Sequence, residues 1–337
     1  MKYCVVGAGS IGGFVGAKLA LAGEDVTLVA RGANLQAIRA HGMRVIMHDG
    51  GEQVARGVRA AATPADAGPQ DVVLLGVKAH QVVAVAKDVA ALCDENTIIV
   101  PMQNGIPWWY FQRHGGEFDG RIVRSVDSEG AIAAVIDPRR IIGCVVYPAC
   151  ELAAPGVVRH IEGDRFPLGE LDGTSTERVR AISETFGRAG LKAPVLDNIR
   201  AEIWLKLWGN LTFNPISALT HSTLVDICQF PLTRELAAAM MREAQSVANR
   251  LGITFRVSLE KRIAGAERVG KHKTSMLQDV EAGRGLEIDA LVGSVIEVGR
   301  IVGVPTPHLE AVFSLVKLLG RTIQEERVYI RAHPFLG

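Results

Sequence analysis

The sequence lacks an excess of charge of either sign, a cysteine pair spaced to hold a metal, and a long apolar run. Its 37 basic side chains balance 36 acidic ones. We therefore expect no nucleic-acid partner, because such partners require a basic surface. None of the five cysteines forms a C-x-x-C pair. This number and spacing of cysteines is typical of reduced thiols in a cytoplasmic protein, and we expect no metal site. No apolar run approaches ~18 residues, so we expect no membrane segment, and Met1 leads so soon into a strand pattern that we expect no targeting segment.

The chain length of 337 residues suffices for two domains. In the first part, short β-rich runs alternate with helical patterns, which predicts a parallel sheet covered by helices. The clearest strands are predicted at 3–6, 26–30, 72–77 and 97–102. Further β-structure is predicted at 43–47, 54–61, 121–126, 141–147 and 157–161, the later strands antiparallel, with a helix over 106–115.

From about residue 197 onward the pattern is helical almost to the end. We therefore predict an α/β Rossmann-type dinucleotide-binding domain over residues 1–196 and an all-α C-terminal domain over residues 197–337. A substrate cleft is expected between them, because ligand sites often lie between domains. The apolar helices of the second domain are compatible with a homodimer.

A glycine motif, Gly7-Ala8-Gly9-Ser10-Ile11-Gly12, follows the first predicted strand and opens a helical pattern. In this context its glycines permit a tight turn, the approach of a pyrophosphate and close packing of helix on strand. The alternative is a purely structural turn. Arg31 follows the second strand, where NAD-specific proteins carry an acid, so it predicts NADP. An exposed arginine at the start of a loop is the competing interpretation.

Lys78 and Asn104 follow two further predicted strands. Because ligands of open α/β sheets bind outside the carboxyl ends of strands, both are candidates for cofactor contacts. A surface lysine and an Asn-Gly turn are the respective alternatives.

Lys206, Asn210 and Asn214 recur at steps of four in an otherwise apolar segment. Such spacing places them on one face of a helix and indicates a polar binding site. The alternative is a solvated face with Glu202 and Lys206 as a surface ion pair. Pro215 adds a possible bend.

Ser275 and Glu287 are later candidates. Ser275 lies four residues before Asp279, and glycines separate this segment from Glu287, so we expect no single helix across it. A serine cap and a helix start are the simpler explanations.

Taken together, these segments resemble the ketopantoate reductase family. The resemblance runs from the first strand to about Pro307 and rests on the glycine motif, Arg31, Val77-Lys78-Ala79, Gln103-Asn104-Gly105, Pro155-Gly156-Val157-Val158, Ile203-Trp204-Leu205-Lys206-Leu207, Asn210, Asn214-Pro215, the segment from Thr274 to Asp279, and Glu287-Ile288-Asp289.

The resemblance implies NADPH-dependent reduction of the 2-keto group of 2-dehydropantoate (ketopantoate) to D-pantoate, a step toward pantothenate and coenzyme A. It implies that Lys206 is the catalytic lysine and that Glu287 orients it and keeps it protonated. Two sets of contacts are also implied. Substrate contacts are Asn104, Asn210, Asn214 and Ser275; cofactor contacts are Gly7, Gly9, Ser10, Ile11, Gly12, Arg31, Lys78 and Asn104.

Two departures concern the substrate. Leu224 and His272 stand where well-studied members have asparagines. This change leaves room for another 2-keto acid, a ketone or an imine as the substrate. A non-catalytic NADP sensor is a further alternative, although a sensor would not need Lys206 together with Glu287.

Overall fold

The computed structural model describes residues 1–332, and residues 333–337 of the predicted helical domain lie outside this range. The chain forms two compact units. The first comprises Met1–Ile122 and Asp127–Ile199, and the second comprises Val123–Val126 and the chain from Arg200 onward. The division thus falls three residues beyond the predicted boundary, and a short earlier segment groups with the helical unit.

The first unit contains the strands and the first four α-helices. The strands are β1 Lys2–Val6, β2 Asp25–Val29, β3 Met43–Ile46, β4 Glu52–Ala55, β5 Arg59–Ala61, β6 Val72–Leu75, β7 Ile98–Pro101, β8 Ile142–Cys144, β9 Ala149–Ala154, β10 Val157–Glu162 and β11 Leu168–Glu170. The helices are α1 Ser10–Leu21, α2 Gly32–His41, α3 Val82–Ala91 and α4 Glu177–Arg188.

The main sheet has five strands in the order β5-β2-β1-β6-β7, and all its pairs are parallel. Its strands carry β-branched and leucine side chains, and those of Val5, Leu28, Leu74 and Val100 are fully buried. The chain builds outward from β1 through β2 and then resumes on the other side of β1 with β6. Such a reversal of strand order is where open α/β sheets bind ligands at their carboxyl edge. The predicted Rossmann-type fold is confirmed.

The remaining strands form two smaller sheets. One has the order β4-β3-β10-β9 and the other pairs β11 with β8. β9 with β10 and β8 with β11 are antiparallel, as predicted for the later strands. β10 also pairs with β3 in parallel.

Two predicted elements are wrong. The segment 106–115 forms consecutive turns instead of a helix, because Trp108, Trp109, Tyr110 and Phe111 are all buried. One face of a helix could not bury four successive side chains. The predicted strand at 121–126 is also absent.

The backbone of that second segment has another partner. The amides of Arg124 and Ser125 each donate to the Glu297 carboxylate at 2.7 Å. A carboxylate that takes two successive N–H groups leaves them unavailable to a strand partner.

The second unit is helical, as predicted. Its α-helices are α5 Ile199–Thr220, α6 Leu224–Gln229, α7 Pro231–Arg250, α8 Leu259–Arg268, α9 Ser275–Glu281, α10 Ser294–Val302 and α11 Pro307–Glu325, and a π-helical turn at Asp289–Gly293 precedes α10. Within residues 1–332, no helix combines the length and the apolar character needed to cross a membrane.

Helix α5 belongs to the core of this unit. Trp204 and Trp208 are fully buried, and the Trp208 indole N–H donates to the Met241 carbonyl at 2.8 Å. The Trp208 ring stacks on Phe255 with 4.1 Å between ring centroids. α5 continues through Pro215 to Thr220, so the proline does not end the helix.

Candidate functional site

The glycine turn after β1 has little room for side chains. Gly7 has φ +101°, a conformation that side chains rarely adopt. A Cβ on Gly7 would lie 2.6 Å from Val77 Cγ1, and one on Gly12 would overlap the Gly7 carbonyl and lie 3.0 Å from Val5 Cγ1. These two glycines therefore close the turn and let α1 pack on the sheet.

Gly9 is different because its surroundings are open. No atom lies within 4 Å of the place where its Cβ would stand. Gly9 precedes Ser10, the first residue of α1, and makes no side-chain cap. The first N–H groups of a helix lack intrahelical partners and favour anions. The open space at Gly9, beside the half-buried Ser10 and Ile11, fits the pyrophosphate of a dinucleotide.

Sequence reasoning missed two residues that hold this turn. The Asn34 Nδ2 group donates to the Ala8 carbonyl at 2.7 Å, and its Oδ1 accepts from the Gly156 amide at 2.7 Å. A Cβ on Gly76 would lie 2.7 Å from the Gly7 carbonyl oxygen. The position of Gly76 directly after a strong strand pattern could have identified it, whereas Asn34 carries no comparable signal.

Arg31 lies two residues after the carboxyl end of β2, consistent with its position after the second predicted strand. It is exposed, and it is the residue immediately before α2. Among residues 1–332, the structure pairs it with no carboxylate. A guanidinium at this edge of the sheet can therefore receive a phosphate without giving up an ion pair.

Lys78 and Asn104 follow the neighbouring strands β6 and β7, and both are half-buried. Gln103 links the two strand ends. Its Nε2 group donates to the carbonyls of Leu75 at 2.7 Å and Val77 at 2.9 Å. The structure thus brings the ends of β1, β6 and β7 together at one edge, which also carries the glycine turn.

The polar stripe of α5 is not a solvated face. Lys206 and Asn210 are half-buried, and Asn214 is 6% exposed. The Glu202 side chain is 1% exposed and pairs with Arg256 at 2.9 Å. The burial of Asn214 and Glu202 contradicts a fully solvated face, and buried polar groups require polar partners.

Ser275 lies against this stripe. The Asn214 Nδ2 group donates to Ser275 Oγ at 3.4 Å, a long hydrogen bond. Thr274, not Ser275, caps α9 by accepting from the Leu277 amide. The Ser275 hydroxyl is thus not needed as a cap, whereas Asp279 pairs with Arg284 at 2.7 Å and has a structural role.

Glu287 is half-buried and directly precedes the π-helical region. Its carbonyl accepts from the Leu291 amide at 3.1 Å. π-helical turns are rare and often occur at functional sites. The nearby Asp289 pairs with Lys317 at 2.9 Å, so its carboxylate has a structural role.

The two departures noted in the sequence are neighbours in space. The Leu224 amide donates to the His272 carbonyl at 3.1 Å. His272 is three residues before Ser275, so the start of α6 and the segment before α9 meet beside Ser275.

Two family models match the chain. The model described as "Ketopantoate reductase PanE/ApbA" matches residues 3–173, and "Ketopantoate reductase PanE/ApbA C terminal" matches residues 198–320. The two matches cover most of each unit.

Individual relatives agree with the family models. A 2-dehydropantoate 2-reductase of Mesorhizobium japonicum is 53% identical over 321 residues, which are 95% of this chain and 98% of the relative. A structure of a candidate ketopantoate reductase from Ralstonia solanacearum is 44% identical with a TM-score of 0.90, covering 95% of this chain and 98% of that one. A 2-dehydropantoate 2-reductase structure from Geobacter metallireducens is 28% identical with a TM-score of 0.82, covering 94% and 99%.

Proposed function

The chain belongs to the ketopantoate reductase family, and from this premise we propose that it reduces the 2-keto group of 2-dehydropantoate to D-pantoate with NADPH. The observation that carries the proposal is a half-buried to buried polar stripe with one lysine on α5, in a chain that also contains a glycine turn after β1.

The cofactor would be held by the first unit. We assign Gly7, Gly9, Ser10, Ile11 and Gly12 to the pyrophosphate, and we assign Lys78 and Asn104 to further cofactor contacts. The preference for NADP is assigned to Arg31, whose guanidinium suits the 2′-phosphate. The open space at Gly9 and the exposed guanidinium support these assignments.

We assign the chemistry of reduction to residues of the second unit. When bound, NADPH supplies the hydride that the ketone carbon receives. Lys206 donates a hydrogen bond to the ketone oxygen, stabilises the charge that develops there, and gives that oxygen its proton. Glu287 orients the ammonium and favours its charged form. Asn210, Asn214 and Ser275, together with Asn104, position the substrate.

The test is NADPH oxidation by the purified protein with ketopantoate, pyruvate and 2-ketoisovalerate. Lys206→Ala should lower kcat by about 10²–10⁴-fold, the usual range for a general acid, and NADPH should still bind. Lys261→Ala removes an exposed lysine of α8 and serves as the matched control. Absence of turnover on every keto acid would refute the proposal, and near-wild-type turnover of Lys206→Ala would remove that residue from its role.

A second candidate is the reduction of a different 2-keto acid, a ketone, or an imine formed from a keto acid and an amine. Leu224 and His272, which stand where well-studied members have asparagines, favour it, because an apolar side chain in place of a polar one cannot bond a substrate hydroxyl. A higher kcat/KM for 2-ketoisovalerate than for ketopantoate would support this candidate. A requirement for added amine would identify an imine reductase.

A further inference from the structure

The chain turns back sharply where α11 ends. Arg327 has φ +52°, a left-handed conformation that few side chains adopt, and the Val328 amide donates to the Ile323 carbonyl at 3.1 Å. A left-handed residue followed by such a bond closes a helix with a Schellman motif. The end of α11 therefore sets the direction of residues 328–331, which follow the part of the chain that the C-terminal family model matches.

Residues 328–331 lie against the last turn of α9. The Ile330 amide donates to the Val280 carbonyl at 3.3 Å, and Arg331 Nη2 donates to the Glu281 carbonyl at 3.4 Å, both of them long hydrogen bonds. The last carbonyls of a helix have no partner within the helix. The segment thus supplies donors to two of these carbonyls.

The same segment meets the residue with which the chain leaves α9. A Cβ on Gly283 would lie 3.1 Å from the Val328 carbonyl oxygen and 3.5 Å from Tyr329 Cβ. Gly283 also has φ +64°. Both its backbone conformation and the close approach of residues 328–331 therefore favour glycine at this position.

The connection that begins at Gly283 ends at Glu287. Residues 284–287 have no regular secondary structure and include a further glycine, so the local sequence gives the connection little stiffness. Its far end packs on α11, because Leu286 Cδ1 lies 3.6 Å from the place where a Cβ on Gly320 would stand. Helix α11 and the segment after it therefore contact both ends of the connection.

We propose that residues 328–331 are a positioning segment, which fixes the connection from α9 to Glu287 and thereby the carboxylate that orients Lys206. The inference rests on the role of Glu287 in the proposed function. Arg284 and Asp279 form an ion pair at 2.7 Å at the start of the same connection. If that pair alone held the connection, residues 328–331 would only cover the end of α9, and an experiment must separate these two roles.

The test compares two truncated proteins on the keto acid with the highest kcat/KM in the wild-type panel. One ends at Ala332 and keeps every contact described for residues 328–331, and the other ends at Arg327 and has none of them. The shorter protein should have a kcat on the order of 10–100-fold lower, because a small displacement of a catalytic group is costly. Its KM for the keto acid and its Kd for NADPH should stay unchanged, a division that a general loss of stability would not produce.

Ile330→Pro in the full-length protein is a second variant. It removes the amide that donates to Val280, so it should lower kcat in the same way, and it decides the question by the same measurements if the shorter protein does not fold. Tyr329→Ala is the matched control. It removes a ring from a residue that is 65% exposed and keeps the Cβ near Gly283, so kcat should not change.

Glu287→Gln shows whether the segment acts through Glu287. In that background the shorter protein should lose little further activity, because changes that act through one group are not additive. An unchanged kcat in the shorter protein and in Ile330→Pro, or full additivity with Glu287→Gln, would overturn the proposal and leave residues 328–331 as a cover for α9. Wild-type turnover by Glu287→Gln itself would refute the role of Glu287 in the proposed function, and this inference would fall with it.

Discussion

Gly9 offers a way to separate cofactor binding from folding. In Gly9→Ser the new side chain enters a space with no atom within 4 Å, and Gly9 has φ −77°, which serine adopts readily. Serine is also one of the residues preferred at the N-cap position of a helix, which Gly9 occupies. We therefore expect the melting temperature to stay within about 2 °C of wild type, since ~1 kcal/mol shifts the melting temperature of a domain the size of the first unit by about 2–4 °C.

The affinity of Gly9→Ser for NADPH, in contrast, should fall. The serine side chain would occupy the approach to the first N–H groups of α1 and compete for them. Loss of one charge-assisted hydrogen bond costs roughly 1.5–3 kcal/mol, which corresponds to a Kd for NADPH about 10–150-fold higher. Calorimetric titration with NADPH and a thermal melt of the same sample measure both quantities.

Two further glycines supply the comparisons. Gly12→Ala places a Cβ against the Gly7 carbonyl, so it should destabilise the protein by about 1–3 kcal/mol. Gly57→Ser adds the same side chain at another open, exposed glycine and should change neither quantity. An unchanged Kd in Gly9→Ser, or a melting temperature lowered as much as in Gly12→Ala, would refute the reasoning.

Other residues give equally direct expectations. Arg31→Ala should weaken NADPH by about 10–100-fold and leave NADH nearly unchanged, and equal losses for both cofactors in binding titrations would contradict a 2′-phosphate contact. Asn214→Leu should raise the KM for ketopantoate by about tenfold at unchanged NADPH affinity, and an unaltered KM would exclude its amide from the site. Burial raises the pKa of the Cys4 and Cys150 thiols to about 12 each, so about one in 10⁴ is a thiolate at pH 8. Iodoacetamide at that pH should label them in urea only, and mass-spectrometric detection of label in the native protein would contradict this burial.

Strands β1, β2, β6 and β7 of the Rossmann sheet could be predicted because each is a short run rich in β-branched residues that is followed by a turn signal. Val72 to Leu75 and Ile98 to Pro101 are fully buried parallel strands, and such strands read as continuous apolar runs. The segment from Trp108 to Phe111 was misassigned because its aromatic residues suit a helix locally. The tertiary structure buries all four side chains, which a helix could not do, and no local sequence pattern predicts this burial.

Some residues of the candidate site could likewise be identified from the sequence, and others could not. Gly7, Gly9 and Gly12 were identifiable because their spacing expresses a backbone requirement, and Lys206, Asn210 and Asn214 because helical periodicity reveals a shared face. Asn34 was not identifiable. Its partner, the Ala8 carbonyl, is 26 residues away in sequence, and only the fold brings the two together. The homodimer and the cytoplasmic location stay predictions.

The most direct measurement of the central claim uses NADPH deuterated at nicotinamide C4 on its transferable face, with ketopantoate and the purified protein. Mass spectrometry and NMR of the product should show pantoate with a single deuterium at C2, formed by the wild type and nearly absent with Lys206→Ala. Pantoate without deuterium at C2, or no pantoate at all, would contradict hydride transfer to the 2-keto carbon by this protein.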